Sequence, residues 1–237
     1  MRSLIAECGI TVLRTIRVRI IRVQFPALRQ VNYELTSLRL RASAWQEITN
    51  LELRFFMTIL IIHGIGGHAG IHWQKWLAEK LEDQGIKVIM PNMPNALRPQ
   101  RTEWLSFVKN LLEDINDDLV IIGHSLGVTT ALDYLEQTDK PIKALISTSG
   151  FAKDYSLELN SYFLSDKEIS WEKVEKNLEN AFVLYGDNDP YVPQEVLKDL
   201  ADNLNIKPTI FKNGGHLNTE SGYTEFPEIL KIVQSLT

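Results

Sequence analysis

The stretch Leu119-Val-Ile-Ile-Gly-His-Ser-Leu-Gly-Val128 indicates how this chain folds. It begins with an uninterrupted apolar run, which is typical of a strand buried on both faces of a parallel sheet. The next residues, Gly123-His-Ser-Leu-Gly127, have the G-x-S-x-G spacing of a nucleophile elbow, a sharp turn from a strand into a helix. We expect both glycines because the chain folds back around Ser125, where a Cβ would crowd the turn. Helical spacing of apolar residues over 128–136 completes a predicted strand, turn and helix.

Apolar runs and helical patterns alternate through the rest of the chain from Met57 onward. Such alternation predicts one α/β domain over 57–237, with about six parallel strands and helices on both faces. The aromatic-rich segment 151–178 is less regular, and it fits either a part of the core or a small cap over a site. The predicted strands are 58–62, 86–90, 119–122, 142–146, 181–185 and 207–211.

Three chemically useful residue types follow strand ends. Ser125 follows the third predicted strand, Asp187 and Asp189 follow the fifth, and His216 follows the sixth. Serine is a weak nucleophile that needs a base such as histidine within hydrogen-bond reach, and an acid must orient that histidine. The order Ser, Asp, His is the order of an α/β-hydrolase triad. Either aspartate could be the acid, and the other would be a turn residue bonded to its own backbone.

At these residues the sequence resembles the α/β-hydrolase superfamily and, within it, the small serine hydrolases of the retinoblastoma-binding protein 9 and YdeN type. The resemblance covers the chain from about Met57 to the C-terminus. It implies a minimal three-layer α/β-hydrolase with little or no cap. The matching segments are His63-Gly-Ile65, His72-Trp73, Gly123-His-Ser-Leu-Gly127, Asp187-Asn-Asp-Pro-Tyr-Val-Pro193 and Gly214-Gly-His216.

The resemblance also assigns roles to residues of this chain. The superfamily's acid commonly stands three residues after a glycine and shortly before Val-Pro, which selects Asp189 over Asp187 as the partner of His216. The oxyanion hole is expected from two backbone N–H groups, that of Leu126 after the nucleophile and that of Ile65 in the first loop.

The predicted function is hydrolysis of small acyl esters by Ser125, His216 and Asp189 through an acyl-enzyme. The alternatives are a non-catalytic binding protein with a hydrolase fold, and a thioesterase or amidase with the same triad. No cofactor is expected. His63 and His124 fit packed histidines bonded to backbone better than catalytic groups. His63, His68 and His72 lack an acidic or thiol partner nearby in sequence, so no metal site is predicted.

The composition of the chain limits the partners and the cellular location that can be expected. The net charge of −5 and the pI near 5.6 give no reason to expect nucleic acid as a partner. No apolar run long enough to span a membrane occurs in the sequence. The single Cys8 cannot form an internal disulfide, which agrees with a reducing, cytoplasmic location.

Residues 1–56 differ in composition from the rest of the chain. They hold nine Arg, no Lys, four Glu and no Asp, whereas 57–237 hold two Arg, 14 Lys and 26 acidic residues. We expect 1–56 to be an Arg-rich extension that is dispensable for folding and catalysis, and that the native protein need not contain. An alternating strand that covers a sheet edge is the competing interpretation.

Overall fold

The computed structural model describes residues 57–116, 118–165 and 167–237, and the predicted extension 1–56 lies outside them. Six strands form a parallel sheet in the order β2-β1-β3-β4-β5-β6. The strands are β1 Met57–Ile62, β2 Lys87–Ile89, β3 Asp118–His124, β4 Ala144–Thr148, β5 Ala181–Gly186 and β6 Thr209–Phe211. The helices are α1 Gln74–Glu82, α2 Arg101–Leu112, α3 Leu126–Leu135, α4 Glu158–Leu164, α5 Trp171–Lys176, α6 Gln194–Asn203 and α7 Pro227–Ser235, and Thr219–Ser221 form a 3₁₀ turn.

The side chains of β1 show why the sheet is covered on both faces. Leu60 and Ile62 pack into one hydrophobic core together with residues of α2, α3, α5 and α6. Ile59 and Ile61 point the other way, into a second core with α1 and α7. All six residues of β1 are buried, as expected for a strand between two helical layers. The predicted three-layer α/β architecture is confirmed.

The boundaries of the strands differ from the predicted ones by one or two residues at an end. β6 begins at Thr209 rather than at residue 207, and Pro208 has no N–H to donate to a neighbouring strand. β2 is one residue shorter at each end than predicted. β4 lies two residues later than predicted, and Ile142 instead makes an isolated parallel bridge with Leu178.

The aromatic-rich segment 151–178 contains two short helices, α4 and α5. Some of its aromatic residues lie in the core and others lie beside a cavity. Phe151 and Phe163 are buried in the core, whereas Tyr155 lines the cavity that also contains Ser125. The segment therefore supplies both core packing and one wall of a pocket. No helix in the described ranges is both long enough and apolar enough to cross a bilayer.

Candidate active site

Ser125 occupies the turn between β3 and α3 in a backbone conformation that residues with a Cβ seldom adopt. Its φ is 54° and its ψ is −124°, and such a conformation costs about 1–3 kcal/mol. The Ser125 N–H donates to the carbonyl oxygen of Thr148 at the end of β4, at 2.9 Å. The turn is therefore held by the neighbouring strand. This strand, turn and helix are the local structure that the G-x-S-x-G spacing predicts.

The two glycines of the turn are needed for different contacts. A Cβ at Gly123 would lie 2.9 Å from the backbone nitrogen of Val128 in the first turn of α3, which agrees with crowding inside the turn. A Cβ at Gly127 would instead lie 2.5 Å from the carbonyl oxygen of Ile62. Gly127 thus allows α3 to approach β1, a contact between segments far apart in sequence.

Asp189 and His216 come from different loops and form a hydrogen-bonded pair. The Nδ1 of His216 lies 2.7 Å from Oδ2 of Asp189, and the carboxylate side chain is fully buried. Its other oxygen, Oδ1, accepts from the backbone N–H groups of Tyr191 at 2.9 Å and Val192 at 3.1 Å. Because a carboxylate can only accept, Nδ1 carries the proton of the neutral imidazole and Nε2 is left as an acceptor.

Asp187 does not contact His216 but connects the same two loops. Its Oδ1 accepts from the backbone N–H of Asn213 at 2.7 Å. The neighbouring Asn188 accepts from the N–H of Gly215 at 2.8 Å through its Oδ1. Asp187 therefore bonds the backbone of the loop after β6 rather than its own turn, and it helps to place the loop that carries His216.

Ser125 and His216 line one cavity of about 280 Å³ at the carboxyl edge of the sheet. Each residue has only 7% of its surface exposed. In the described part of the chain, no hydrogen bond joins the Ser125 hydroxyl to His216. Catalytic hydrogen bonds are often long or poorly aligned without substrate and tighten when it binds, so this geometry is compatible with a nucleophile and its base.

The loop with Ile65 packs directly against Ser125. A Cβ at Gly64 would lie 2.9 Å from the Cβ of Ser125, so only glycine allows this approach. The imidazole Nδ1 of His63 donates to the carbonyl oxygen of Gly64 at 2.7 Å, and that carbonyl belongs to the same peptide group as the Ile65 N–H. Among the described residues, neither the Ile65 N–H nor the Leu126 N–H has an acceptor. Ile65 also lines the cavity that contains Ser125.

His63 and His124 are buried and bonded to backbone groups. The backbone N–H of Met93 donates to Nε2 of His63 at 3.0 Å, so this imidazole is neutral, with its proton on Nδ1. Nε2 of His124 donates to the carbonyl oxygen of His216 at 3.0 Å and so supports the loop that carries His216. Burial lowers the pKa of His63, and burial together with the nearby His216 holds the pKa of His124 well below its usual value.

His72 lies beside the cavity and contacts the loop after β6. Its Nδ1 accepts from the backbone N–H of Thr219 at 3.2 Å, and its ring packs edge-on against His124. Burial lowers the pKa of His72. Within the described ranges, no three His, Cys, Asp or Glu side chains converge in a way that would hold a metal ion.

The pocket wall formed by α4 is anchored by a buried ion pair that the sequence analysis missed. Arg101 forms two hydrogen bonds with the carboxylate of Asp133, at 2.8 and 2.9 Å. The same guanidinium donates to the carbonyl oxygens of Phe163, Leu164 and Lys167, at and just after the end of α4. The signal in the sequence was a single charged residue, Asp133, within the helix α3.

Known proteins share this fold and are similar to this chain in sequence. YdeN of Bacillus subtilis is 28% identical over 180 residues, which cover 75% of this chain and 94% of YdeN. The serine hydrolase RBBP9 of Rattus norvegicus is 30% identical over 176 residues, covering 72% of this chain and 90% of RBBP9. The crystal structure of YdeN superposes with a TM-score of 0.70 at 27% identity, over 76% of this chain and 98% of that one.

These likenesses confirm the predicted α/β-hydrolase fold and the predicted resemblance to proteins of the RBBP9 and YdeN type. The serine hydrolase family model matches residues 59–235, a range that begins in β1 and ends with the last residue of α7. The chain belongs to the serine hydrolase family.

Proposed function

We propose that this hydrolase cleaves carboxylic esters of small acyl compounds through a triad of Ser125, His216 and Asp189. The observation that carries the proposal is the 2.7 Å hydrogen bond between His216 Nδ1 and Asp189 Oδ2, beside a cavity that Ser125 also lines. This bond leaves Nε2 of His216 as the acceptor that a serine hydroxyl needs. The strained turn at Ser125 adds support, because such strain concentrates at functional sites.

In the proposed reaction, Ser125 Oγ attacks the carbonyl carbon of the ester while its proton moves to Nε2 of His216. The tetrahedral intermediate collapses when the bond to the alkoxy oxygen breaks, and His216 returns the proton to that oxygen, so an alcohol leaves. Water then attacks the acyl-enzyme with His216 as base. The products are a carboxylic acid and free Ser125. Asp189 holds the imidazole in its tautomer and stabilises the imidazolium.

The negative charge on the tetrahedral oxygen requires donors that are already in place. We propose the backbone N–H groups of Ile65 and Leu126 for this role. The contact of Gly64 with Ser125 and the position of Leu126 as the first residue of α3 support the assignment. Removal of one such donor from an enzyme typically lowers kcat by about 10²–10³.

The test combines active-site labelling with a substrate panel. A fluorophosphonate probe should modify Ser125 of the full chain, as located by peptide mass spectrometry. A series of 4-nitrophenyl esters should be turned over fastest at short acyl lengths, because the cavity is small for a ligand pocket, which commonly spans about 300–1,000 Å³. A folded protein that takes up no label would instead favour the non-catalytic binding protein. Faster turnover of a matched thioester or amide would be consistent with the proposed triad but would contradict the proposal that esters are the substrates.

A further inference from the structure

His72 brings an accessible hydrogen-bond donor to the active-site cavity. Its Nδ1 accepts from the backbone N–H of Thr219 at 3.2 Å, and burial lowers its pKa by more than the carboxylate of Glu220 raises it. The ring is therefore neutral, with its one hydrogen on Nε2. Among the described residues, Nε2 has no hydrogen-bond partner and is not one of the buried atoms that lack one. Because His72 lines the cavity, this N–H can be reached by a ligand.

Asn218 supplies a second donor from the loop after β6. Its Oδ1 accepts from the backbone N–H of Ser221 at 3.1 Å, and because an N–H can only donate, this contact fixes which end of the amide is the oxygen. Its Nδ2 makes no hydrogen bond within the described ranges, and it is not among the buried unpaired atoms there either. Asn218 lines the same cavity as His72 and Ser125. The cavity wall thus presents two open donors.

The two donors belong to one part of the wall. Thr219, which bonds His72, follows Asn218 directly in the chain. Trp73, next to His72, donates from Nε1 to the carbonyl oxygen of Leu217 at 3.0 Å. Both side chains of the His72-Trp73 pair are therefore bonded to the loop after β6. Trp73 is a buried anchor, whereas His72 keeps a positive φ of 58°, a strained value of the kind that concentrates at functional sites.

The charges nearby limit which group these donors can bind. The exposed carboxylate of Glu220 also lines the cavity, and its negative charge disfavours an anion beside it. An ammonium group has no lone pair with which to accept from the donors. A carbonyl oxygen is neutral and has two lone pairs and no hydrogen, so it can accept from either donor or from both.

We propose that His72 and Asn218 form a subsite for a second carbonyl oxygen of the substrate, separate from the carbonyl that Ser125 attacks. The preferred substrates are then esters with a ketone, an amide or another ester group near the scissile bond. The oxygen of the scissile carbonyl has its own proposed donors, the N–H groups of Ile65 and Leu126. This inference rests on the proposed ester hydrolysis and narrows its substrate class.

The experiment compares isosteric esters in which a carbonyl oxygen replaces a methyl group. On the acyl side the pair is 4-oxopentanoate and 4-methylpentanoate as 4-nitrophenyl esters. On the alcohol side the pair is 2-oxopropyl and 2-methylpropyl butanoate, followed by pH-stat titration. Each kcat/KM is divided by the hydroxide rate constant of the same ester, which removes differences in intrinsic reactivity. The full chain should prefer the oxo member of at least one pair by about tenfold, since each net hydrogen bond contributes roughly three- to tenfold.

Two conservative variants connect this preference to the residues. In His72→Asn the new side-chain oxygen can still accept from Thr219, and asparagine tolerates a positive φ, but no atom replaces Nε2. In Asn218→Asp the oxygen that accepts from Ser221 is kept, and the donor becomes an oxygen that cannot donate. Each variant should reduce the ratio within the pair to about threefold or less. The control is His68→Asn, which changes an exposed histidine outside the cavity lining and should leave the ratio unchanged.

The outcomes separate this inference from the function on which it rests. A wild-type ratio near one for both pairs, with Ser125 still labelled by the fluorophosphonate, overturns the carbonyl subsite alone. A ratio that survives in both His72→Asn and Asn218→Asp overturns it as well, even if both members of a pair are turned over more slowly, because an equal loss is the mark of a structural role. Faster normalised turnover of 2-hydroxypropyl than of 2-oxopropyl butanoate would show a hydroxyl subsite instead. Absence of labelling in the folded wild-type chain would overturn the proposed function itself.

Discussion

Asp189 binds His216 with one carboxylate oxygen and the backbone of its own loop with the other. Oδ2 lies 2.7 Å from Nδ1 of the imidazole, and Oδ1 accepts from the N–H groups of Tyr191 and Val192. Three hydrogen bonds thus fix the carboxylate, so it cannot rotate away from His216 without leaving backbone donors unpaired. The imidazole of His216 is therefore oriented by a carboxylate that is itself held by hydrogen bonds, an arrangement that suits the proposed proton transfer.

Ser125→Ala should abolish fluorophosphonate labelling and lower kcat for an ester by about 10⁴ or more, the scale found when a triad nucleophile is removed. Ser149→Ala is a matched control, because Ser149 is also buried and has a positive φ, 48°, at the end of the neighbouring strand. Labelling that survives in Ser125→Ala, or that is lost only in Ser149→Ala, would contradict the assignment.

The two aspartates of the loop after β5 should respond differently to the same substitution. Asp189→Asn should lower kcat by about 10⁴, because an amide neither selects the required tautomer nor stabilises the imidazolium. Asp187→Asn should have a far smaller effect, since an amide oxygen can still accept from the N–H of Asn213. Steady-state kinetics with one ester measures both variants. The reverse order would show that Asp187 is the catalytic acid.

Stability should fall in mild acid because of buried histidines. Burial lowers the pKa of His63, His72 and, most strongly, His124, whereas histidine in an unfolded chain titrates near pH 6.5, roughly. Below that pH the unfolded chain takes up protons that the folded protein resists, so the free energy of unfolding decreases. The neutral histidines contribute fully to the free energy of unfolding at pH values above the histidine pKa of the unfolded chain. This contribution is lost as the pH falls towards the lower histidine pKa values of the folded protein.

Urea denaturation at pH 7.5 and pH 5.0, conditions that roughly bracket the unfolded histidine pKa, measures this effect. The wild-type chain should be less stable at the lower pH. His124→Gln should narrow the difference, because glutamine does not titrate and its amide can still donate to the carbonyl oxygen of His216. His68→Gln, which changes an exposed side chain, should keep the wild-type difference. An unchanged difference in His124→Gln would contradict the argument.

The buried ion pair behind the pocket wall should be important for stability. Arg101→Met leaves the Asp133 carboxylate buried with a single cation, Lys167 at 3.0 Å, and should cost about 3–5 kcal/mol. Lys153→Met, which breaks a partly exposed pair with Asp199, should cost about 1 kcal/mol or less. The free energy of unfolding of both variants is measured by urea denaturation. Equal losses in the two variants would show that Arg101 contributes no more to stability than a partly exposed ion pair.

Removal of residues 1–56 should leave folding and catalysis intact. The proposed triad, the proposed oxyanion donors and the six strands all lie from Met57 onward, and the remaining chain is long enough for one core. The test is to express 57–237 and compare its thermal midpoint and esterase rate with those of the full chain. Aggregation of the shorter chain, or a loss of more than about 2 kcal/mol from the usual 5–15 of a domain, would show that the extension is structural.

The parts of the site that follow directly from strand ends could be predicted from the sequence. Ser125, Asp189 and His216 each come after a predicted strand, and parallel strands bring their carboxyl ends to one edge. The pairing of Arg101 with Asp133 could not be predicted in this way, because it depends on how α2 and α3 pack side by side.

The residues of the pocket wall could not be predicted from the sequence either. Tyr155 and Asn160 lie in a segment without clear periodicity, and only its tertiary packing brings them to the cavity.

The boundaries of the outer strands also depended on the neighbouring strands. β6 pairs only through residues 209–211, although the apolar pattern suggested a longer strand.

The backbone at Ser125 has a consequence for how this protein can change over time. Glycine adopts a positive φ freely, whereas serine at this position lowers the stability of the folded state. Selection for folding alone would therefore favour glycine at residue 125, and selection for the proposed hydroxyl nucleophile would oppose it. Stability and activity make opposite demands on this residue, so a variant chosen only for higher thermal stability is at risk of losing its chemistry here first.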